Sequence, residues 1–498
     1  MLDAAIAGLL GILQWKAFLL MMIGIVISST LVAMPGIGSK TAIALLLPFA
    51  FALNQFEAIC LIMSIWAVSN TANSITSILF SVPGGGDSQA TIMDGYPLAQ
   101  NGEAARALSA AFTSSAIGGI IGAMVLFAAI PILRPLVLLL GPPEFFMLVM
   151  VGIAMVGSLS GKAPVKGIIA GAFGLMISMV GVHIITGLHR FTFDQLFLVD
   201  GFKLIPVTIG LFAIPELLYM GIKGSGISDL PLGDLGKGRK QGIKDAYTHR
   251  WLILRSSFIG VWVGVIPGLG SAVADWFAYG SAKQTCPGAR ETFGKGDVRG
   301  VIAVDAATNA KEGGSLIPTL AFGIPGSSTL ALIFGALIIV GITPGRDMLT
   351  KDLHLTFSMI WLLVIASIIT TLLCLAFTRQ LAMATKLRPS LMIPCILAMA
   401  VIGSFAAASR FEDVLIMLAF GTVGYFMRAA GWPRPPLLLG LVLGPIAERY
   451  MWTSVQLYGA EFLLRPGVIS IFIVLVACLA YPIFQDQSAK LRAQETEA

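Results

Sequence analysis

The sequence predicts an all-α polytopic membrane protein with interrupted helices, and three observations carry that prediction. Of its 498 residues, 57% are hydrophobic and 12% charged, against about 25% charged in ordinary soluble domains. The mean hydropathy is +0.89. The chain also holds 55 glycines and 25 prolines, residues that membrane helices tolerate where neighbouring helices or water satisfy the freed backbone. A span needs about 20 apolar residues, so the length accommodates about 11–14 membrane segments, several of them broken. No room is left for a large soluble domain.

Thirty-two basic against 26 acidic residues give a formal charge of +6, which in this class reports basic cytoplasmic loops, with no nucleic acid implied. Cys60, Cys286, Cys374, Cys395 and Cys478 are odd in number and scattered, which reads as packed thiols and not as a disulfide framework or zinc cluster. The N-terminus carries Asp3 and no basic run before its first apolar stretch, so the first helix is expected to be retained and not cleaved.

The clearest hydrophilic interval divides the chain near its middle. Residues 223–250 contain Lys223, Lys237, Arg239, Lys240, Lys244 and Arg250 among Gly, Ser and Asp, the mark of a cytoplasmic linker, because basic loops resist translocation. It separates an N-terminal membrane repeat, residues 1–222, from a C-terminal one, residues 251–498. The two share marks in the same order. Pro35-Gly36-Ile37-Gly38 and Pro267-Gly268-Leu269-Gly270 each interrupt an apolar run, 267 − 35 = 232 residues apart. NSITSILFSVPGG from Asn73 and SLIPTLAFGIPGS from Ser315 follow, with their prolines 325 − 83 = 242 residues apart. The polar stretch KQTCPGARETFGKG between the second pair of marks holds the ten-residue difference.

A Pro-Gly-x-Gly removes an amide donor and permits unusual dihedrals, so each break must face protein or water. One such motif is more often a packed kink. Two at matching places point to the paired breaks of secondary transporters, where half-helix N-termini attract anions and unwound carbonyls hold cations. Pro35, Gly36, Gly38, Pro267, Gly268 and Gly270 are therefore candidates for the substrate site. Asn73, Ser74, Thr76 and Ser77 in one copy, with Ser315 and Thr319 in the other, join them, since hydroxyls and amides line a wet cavity at less desolvation cost than charges. These segments read equally as re-entrant hairpins or as short links between spans. Thr71, Asn309 and Asp275 are candidates for ion coupling, although a buried structural partner is the commoner fate of an Asp such as Asp275. Lys311 and Glu312 either pair with each other or sit at an aqueous end. Asp94, Glu103, Arg106, Asp200 and Glu216 fall beside Gly or Pro near inferred span ends, where an interfacial position is expected.

Enzymatic readings are weak. The chain lacks HExxH, GxSxG and a phosphate-binding Gly-rich loop, so the usual chemistry of membrane proteases, hydrolases and nucleotide motors is missing. Gly84-Gly85-Gly86-Asp87 matches half of an intramembrane aspartyl protease signature, without the second carboxylate that chemistry requires. No catalytic residue, metal site or cofactor is assigned, only a coupling cation.

Five longer segments resemble one family. PGIGSKTAIALLLP at residues 35–48, IMDGYPLA at 92–99, GLHRFTFDQLFLVDGFKLIPVTIGLFAIPELL at 187–218, VIPGLGSAVADW at 265–276 and GGSLIPTLAFGIPGSSTLALIFGALIIVGITPG at 313–345 are similar to the large membrane subunit, TctA, of the tripartite tricarboxylate transporters. The resemblance implies an importer of citrate-like or other organic carboxylate anions in the bacterial inner membrane, driven by a Na⁺ or H⁺ gradient. It also implies a small TctB-like transmembrane subunit, a periplasmic TctC-like binding protein, inverted repeats and alternating access. A stand-alone secondary carboxylate transporter is the alternative, and an intramembrane enzyme a remote one. The chain departs from the family pattern at Ala72-Asn73, Val304-Asp305, Thr308-Asn309 and Lys311-Glu312, all beside the expected pocket, where Lys311 supplies a cationic contact that the pattern lacks.

Overall fold

The computed structural model describes the chain outside residues 34–37, 82–87, 160–163, 184, 224–237, 385–388, 407, 478 and 480–498. The architecture is almost entirely helical. In order come α1 (Leu2–Leu13), α2 (Trp15–Ala33), α3 (Ser39–Leu46), α4 (Gln55–Phe80), α5 (Gln89–Gln100), α6 (Ala104–Leu138), α7 (Pro142–Leu159) and α8 (Pro164–Ser178). A two-residue antiparallel pair, β1 (Gly181–Val182) with β2 (His189–Arg190), precedes α9 (Leu196–Val199) and α10 (Leu204–Lys223). Then follow α11 (Arg239–Thr248), α12 (Arg250–Val265), α13 (Gly270–Thr285), α14 (Ala289–Thr292), α15 (Val298–Phe322), α16 (Ser328–Ile339) and α17 (Leu353–Ala376). The last are α18 (Thr378–Ala384), α19 (Pro389–Ala406), α20 (Phe411–Ala429) and α21 (Arg434–Tyr458).

Among the described residues five helices, α2, α4, α6, α10 and α17, are long and apolar enough to cross a bilayer alone. A bent pair, Arg434–Leu464 with Pro466–Ala477, turned by 71°, is long and apolar enough only when taken together, as a broken span or a re-entrant loop. Six shorter apolar helices, such as Ser328–Ile339, accompany them. A 12-residue helix rises roughly 18 Å against a hydrocarbon core of about 30 Å, so such pieces cross only in company.

Two helices form the centre. From Glu57 to Phe80 every residue of α4 is buried, and α15 is buried along nearly its whole length; a helix covered on all sides belongs to a protein interior and not to a lipid face. Lipid-type surface lies elsewhere, on exposed residues such as Phe127, Ile132 and Leu139 of α6 and its end. The start of α4 is fixed by a reciprocal cap, in which Asn54 accepts the Glu57 amide at 2.9 Å and Glu57 accepts the Asn54 amide at 3.3 Å. Asp297 caps α15 by accepting the Arg299 amide at 2.9 Å, and Gly323 ends it in the left-handed region at φ +68°. Close approach is secured by glycine. A methyl group at Gly118 of α6 would overlap the Ala306 backbone, and one at Gly260 of α12 the Ala307 backbone, the small-residue packing expected where hydrophobic drive between helices is weak.

Each central helix carries a hairpin. α12 runs along α15 with Gly260 at Ala307 and Gly264 at Lys311, and α13 returns with Ser271 on Lys311 and Asp275 on Thr308. The turn at residues 266–269 therefore lies at the level of the middle of α15. α2 begins beside the start of α4, where Lys16 meets Glu57 at 3.4 Å, and descends with Ser28 donating to the Ile65 carbonyl at 2.8 Å. α3 and the 3₁₀ turn Leu47–Ala52 then lead back to Asn54. α4 and α15 are antiparallel, as the pairs Asn70 with Glu312, Thr71 with Asn309 and Ser74 with Asp305 require, so the two hairpins enter from opposite ends. The basic linker is not all loop: α11 lies within it and packs on α6, with Arg106 Nε 2.5 Å from Asp245 Oδ2.

Candidate functional site

The antiparallel crossing brings two polar stripes face to face. At helical spacing, Asp305, Thr308, Asn309, Glu312 and Ser315 occupy one face of α15, and Asn70, Asn73, Ser74 and Ser77 one face of α4. All are buried. Asn70 Nδ2 donates to Glu312 Oε1 at 2.6 Å and to the Thr308 carbonyl at 3.4 Å. Ser74 donates to Asp305 Oδ1, whose other oxygen accepts from Thr91 of α5 at 3.3 Å. Asn309 donates to Thr71 Oγ1 at 3.3 Å, and Thr308 to Asp275 Oδ1 at 2.5 Å. Two distant segments of sequence thus become one network.

Its charges are concentrated at one point. Lys311 is 2% exposed and Glu312 4% exposed, so the pair sits in the interior and not at an aqueous end. Lys311 Nζ lies 3.2 Å from Glu312 Oε1 and donates to Ser271 Oγ at 2.9 Å. Ser315 donates to the Glu312 carbonyl at 3.0 Å and lies 3.4 Å from Glu312 Oε2. Among the described residues, the buried carboxyl groups of Asp275, Asp305 and Glu312 gather near the buried ammonium of Lys311. Ionised carboxylates in low dielectric need cations, protons or several donors.

The other candidates divide into gathered and peripheral groups. Pro35 and Gly36 lie outside the described residues, while Gly38 stands at the N-cap of α3. Pro267 is in the turn of the second hairpin, where Gly268 adopts φ +88° and donates its amide to the Gly326 carbonyl at 3.2 Å. Gly270 opens α13 at φ +72° with open space beside its Cα. Thr319 accepts the Gly326 amide at 3.0 Å and donates to the Ser315 carbonyl at 2.7 Å, which pins the loop after α15 to the end of that helix. Thr76 donates to the Asn73 carbonyl at 2.9 Å, and Ser77 to Ser88 at 2.7 Å.

Asn73 differs from all of these. Its side chain is 0% exposed, and neither its oxygen nor its nitrogen has a hydrogen-bond partner among the described residues. Asn70 Oδ1 is buried without a partner as well. Leaving such groups unmet costs roughly 1–3 kcal/mol each unless water, an ion or a ligand supplies the partner.

Asn70 and Ser271 were not among the candidates read from sequence. Asn70 lies one turn before Asn73 and Ser74 on the same face, and Ser271 directly follows the second break; helical phase and position were the available signals. One expectation is corrected. Asp94 is fully buried, with Oδ1 accepting the amides of Gly294, Gly296 and Asp297 at 2.7, 3.0 and 2.9 Å. Three converging backbone donors draw the carboxylate inward and clamp α5 to the start of α15. Glu103, Arg106 and Asp200 stay at least partly exposed in ion pairs, and Glu216 pairs with Arg428 at 2.5 Å and with Arg434 at 3.4 Å.

Among the described residues no three His, Cys, Asp or Glu side chains converge as a metal site would require. A separate cavity of about 410 Å³ between β1, β2, α16 and α21 holds Arg190 and Glu448, already paired at 2.7 and 3.0 Å.

The family model for the tripartite tricarboxylate transporter TctA family matches residues 18–439. Two similar proteins come from Agrobacterium vitis. One, described as an uncharacterized 52.8 kDa protein in the TAR-I ttuC' 3'region, is 29% identical over 475 residues, which is 94% of this chain and 93% of that protein. The other, described as an uncharacterized protein in the TAR-II ttuC' 3'region, is 33% identical over 192 residues, 39% of this chain and 79% of that one. No solved structure matches.

Proposed function

This chain belongs to the tripartite tricarboxylate transporter TctA family, and from that premise we propose that it imports organic carboxylate anions through the stripe between α4 and α15, driven by a cation gradient. Family and fold together make it a multi-pass membrane subunit of a transporter that works with other subunits. The finer assignments are our reading. The partners are a small transmembrane subunit and a periplasmic substrate-binding protein, and the site of action is the bacterial inner membrane. The end of α15 that carries α11 and the basic linker faces the cytoplasm.

The observation that carries this reading is the unpartnered Asn73 carboxamide, fully buried on α4 where the stripe meets α15. An amide offers donors to a carboxylate and acceptors to a hydroxyl. The half-helices α3 and α13 open at Gly38 and Gly270, and N-termini of this kind carry positive partial charge toward an anion. Two hairpins entering from opposite ends support inverted repeats, and rocking one against the other would expose the stripe to each face in turn. A co-transported Na⁺ or H⁺ then offsets substrate charge in a cluster already rich in carboxylates.

The test is uptake of labelled citrate into proteoliposomes holding this chain with its small partner, under imposed Na⁺ or H⁺ gradients. Uptake that needs both a gradient and the binding protein is expected. Uptake without the binding protein would make the chain a stand-alone carrier, and a chemically altered product would make it an enzyme.

A further inference from the structure

We propose that the groove between α8 and α20 binds one anionic phospholipid, with an acyl chain along its apolar walls and the phosphate on Lys166. The site goes beyond the transport reading and uses none of the residues between α4 and α15.

The groove is left between two helices whose small-residue faces are engaged elsewhere. A methyl group at Gly174 of α8 would overlap the Leu437 carbonyl of α21, and one at Gly440 of α21 the Gly171 carbonyl, so these helices meet backbone to backbone. On α20, Gly421 and Gly424 are turned to Ile214 and Leu211 of α10 in the same way. Between α8 and α20 remains a cavity of about 490 Å³, with Leu437 in its lining and Ile169, Phe173, Val423 and Phe426 exposed along its walls. Both walls keep helical phase. Lys166, Ile169, Ala170 and Phe173 stand at i, i+3, i+4 and i+7 of α8, and Thr422, Val423, Phe426, Met427 and Ala430 repeat likewise on α20. From Lys166 to Phe173 the wall rises about 10 Å, most of the roughly 15 Å of hydrocarbon in one leaflet.

A cation closes one end of this apolar channel. Lys166 Nζ donates to the Ala430 carbonyl at 2.7 Å and lies 5.9 Å from the centre of the Trp432 ring. A carbonyl takes one of its three donors and none of its charge, so an ammonium stands at the mouth for a phosphate to meet. Trp432 marks the depth, because Trp settles at the level of the lipid headgroups. The same end carries a surplus of positive charge. Among the described residues Arg428 and Arg434 share the one carboxylate of Glu216, at 2.5 and 3.4 Å. Glu216 lies two turns before Lys223, where α10 leads into the basic linker, so the mouth opens on the side assigned above to the cytoplasm, where basic pockets between helices meet anionic headgroups. An apolar partner helix could cover the walls, but it would leave the Lys166 charge unanswered. An anionic phospholipid satisfies both walls and mouth.

The experiment is native mass spectrometry of the full chain in detergent, titrated with dioleoyl phosphatidylglycerol or dioleoyl phosphatidylcholine. Wild type is expected to hold one phosphatidylglycerol about tenfold more tightly than phosphatidylcholine. Lys166→Gln should reduce that preference to about twofold, and Lys166→Arg should keep it, since either cation meets a phosphate. Thr422 is exposed on the groove wall, so Thr422→Trp fills the channel and should weaken both lipids by about tenfold, with the lipid-free unfolding temperature unchanged. Should Thr422→Trp not fold, Phe426→Ala removes an exposed wall instead and should weaken both lipids about threefold. A wild type without headgroup preference, a Lys166→Gln that retains it, or wall variants that bind as wild type does each overturn the site. Adding the co-expressed small transmembrane subunit should leave the bound phosphatidylglycerol in place. Its displacement would make the groove a protein-docking face and overturn the proposal. Because lipid binding is read without uptake, a failure of this site leaves the transport reading standing, and a failure of citrate uptake leaves the site standing.

Discussion

α4 and α15 are both enclosed along nearly their whole length and both flanked by a hairpin, yet their chemistry differs. Between Glu57 and Phe80, α4 carries no charge and presents Asn70, Thr71, Asn73, Ser74, Thr76 and Ser77. α15 over the same depth carries Asp305, Lys311 and Glu312. One helix supplies neutral donors and the other supplies the titratable charge. Neutral amides can meet an anion at little desolvation cost, whereas buried charge is expensive and needs close partners. The asymmetry sets a neutral polar face against a charged one in two segments of otherwise similar placement, the basis on which recognition and coupling are proposed to be divided.

The comparison can be broken most forcefully at the charged helix. Glu312→Ala strands the Lys311 ammonium in the interior and should cost about 3–5 kcal/mol, whereas removing both charges together should cost far less; thermal unfolding of detergent-purified chains checks both. Next comes the packing that holds α15 in place. Gly118→Val forces a side chain into the Ala306 backbone and should cost about 1–3 kcal/mol, read as a lower unfolding temperature and poorer membrane yield. Asp94→Ala removes the acceptor of three amides and should cost a similar 1–3 kcal/mol or so, confined to the start of α15 and visible as faster amide exchange there. The smallest stability effect belongs to the neutral helix. Asn73→Ala should leave the unfolding midpoint unchanged or raised, because the amide makes no internal hydrogen bond, while uptake falls by about tenfold or more. Loss of folded protein in Asn73→Ala would make that residue structural and erase the division of roles.

Much of this arrangement was legible in the sequence. Apolar runs punctuated by Pro-Gly-x-Gly predicted broken helices, and the Pro267–Gly270 break became a hairpin turn at the depth where polar residues gather. The stripes of Asn73, Ser74 and Ser315 were visible as residue types. Their pairing was not, because Asn70 meets Glu312 across 242 residues of chain and no local pattern encodes an antiparallel crossing of two helices. Asp94 misled for a physical reason: beside Gly95 and near Pro97 it resembled an interfacial charge, and only the fold brings the three amides of residues 294–297 to meet it. Lys311-Glu312 remained ambiguous for the same cause, since neighbouring opposite charges look alike at a helix end and in a core until the surrounding helices are in place.

The claim on which the account depends is that substrate enters between α4 and α15. It is tested most directly by placing a single cysteine at Asn73 in a chain freed of its own five, and labelling it with a small aqueous thiol reagent with and without citrate. Asn73→Cys is expected to react and citrate to protect it, while a cysteine at Tyr247, exposed on α11, reacts identically in both conditions. A cysteine at position 73 that labels readily and is indifferent to a carboxylate the chain transports would place the pathway elsewhere and contradict the account.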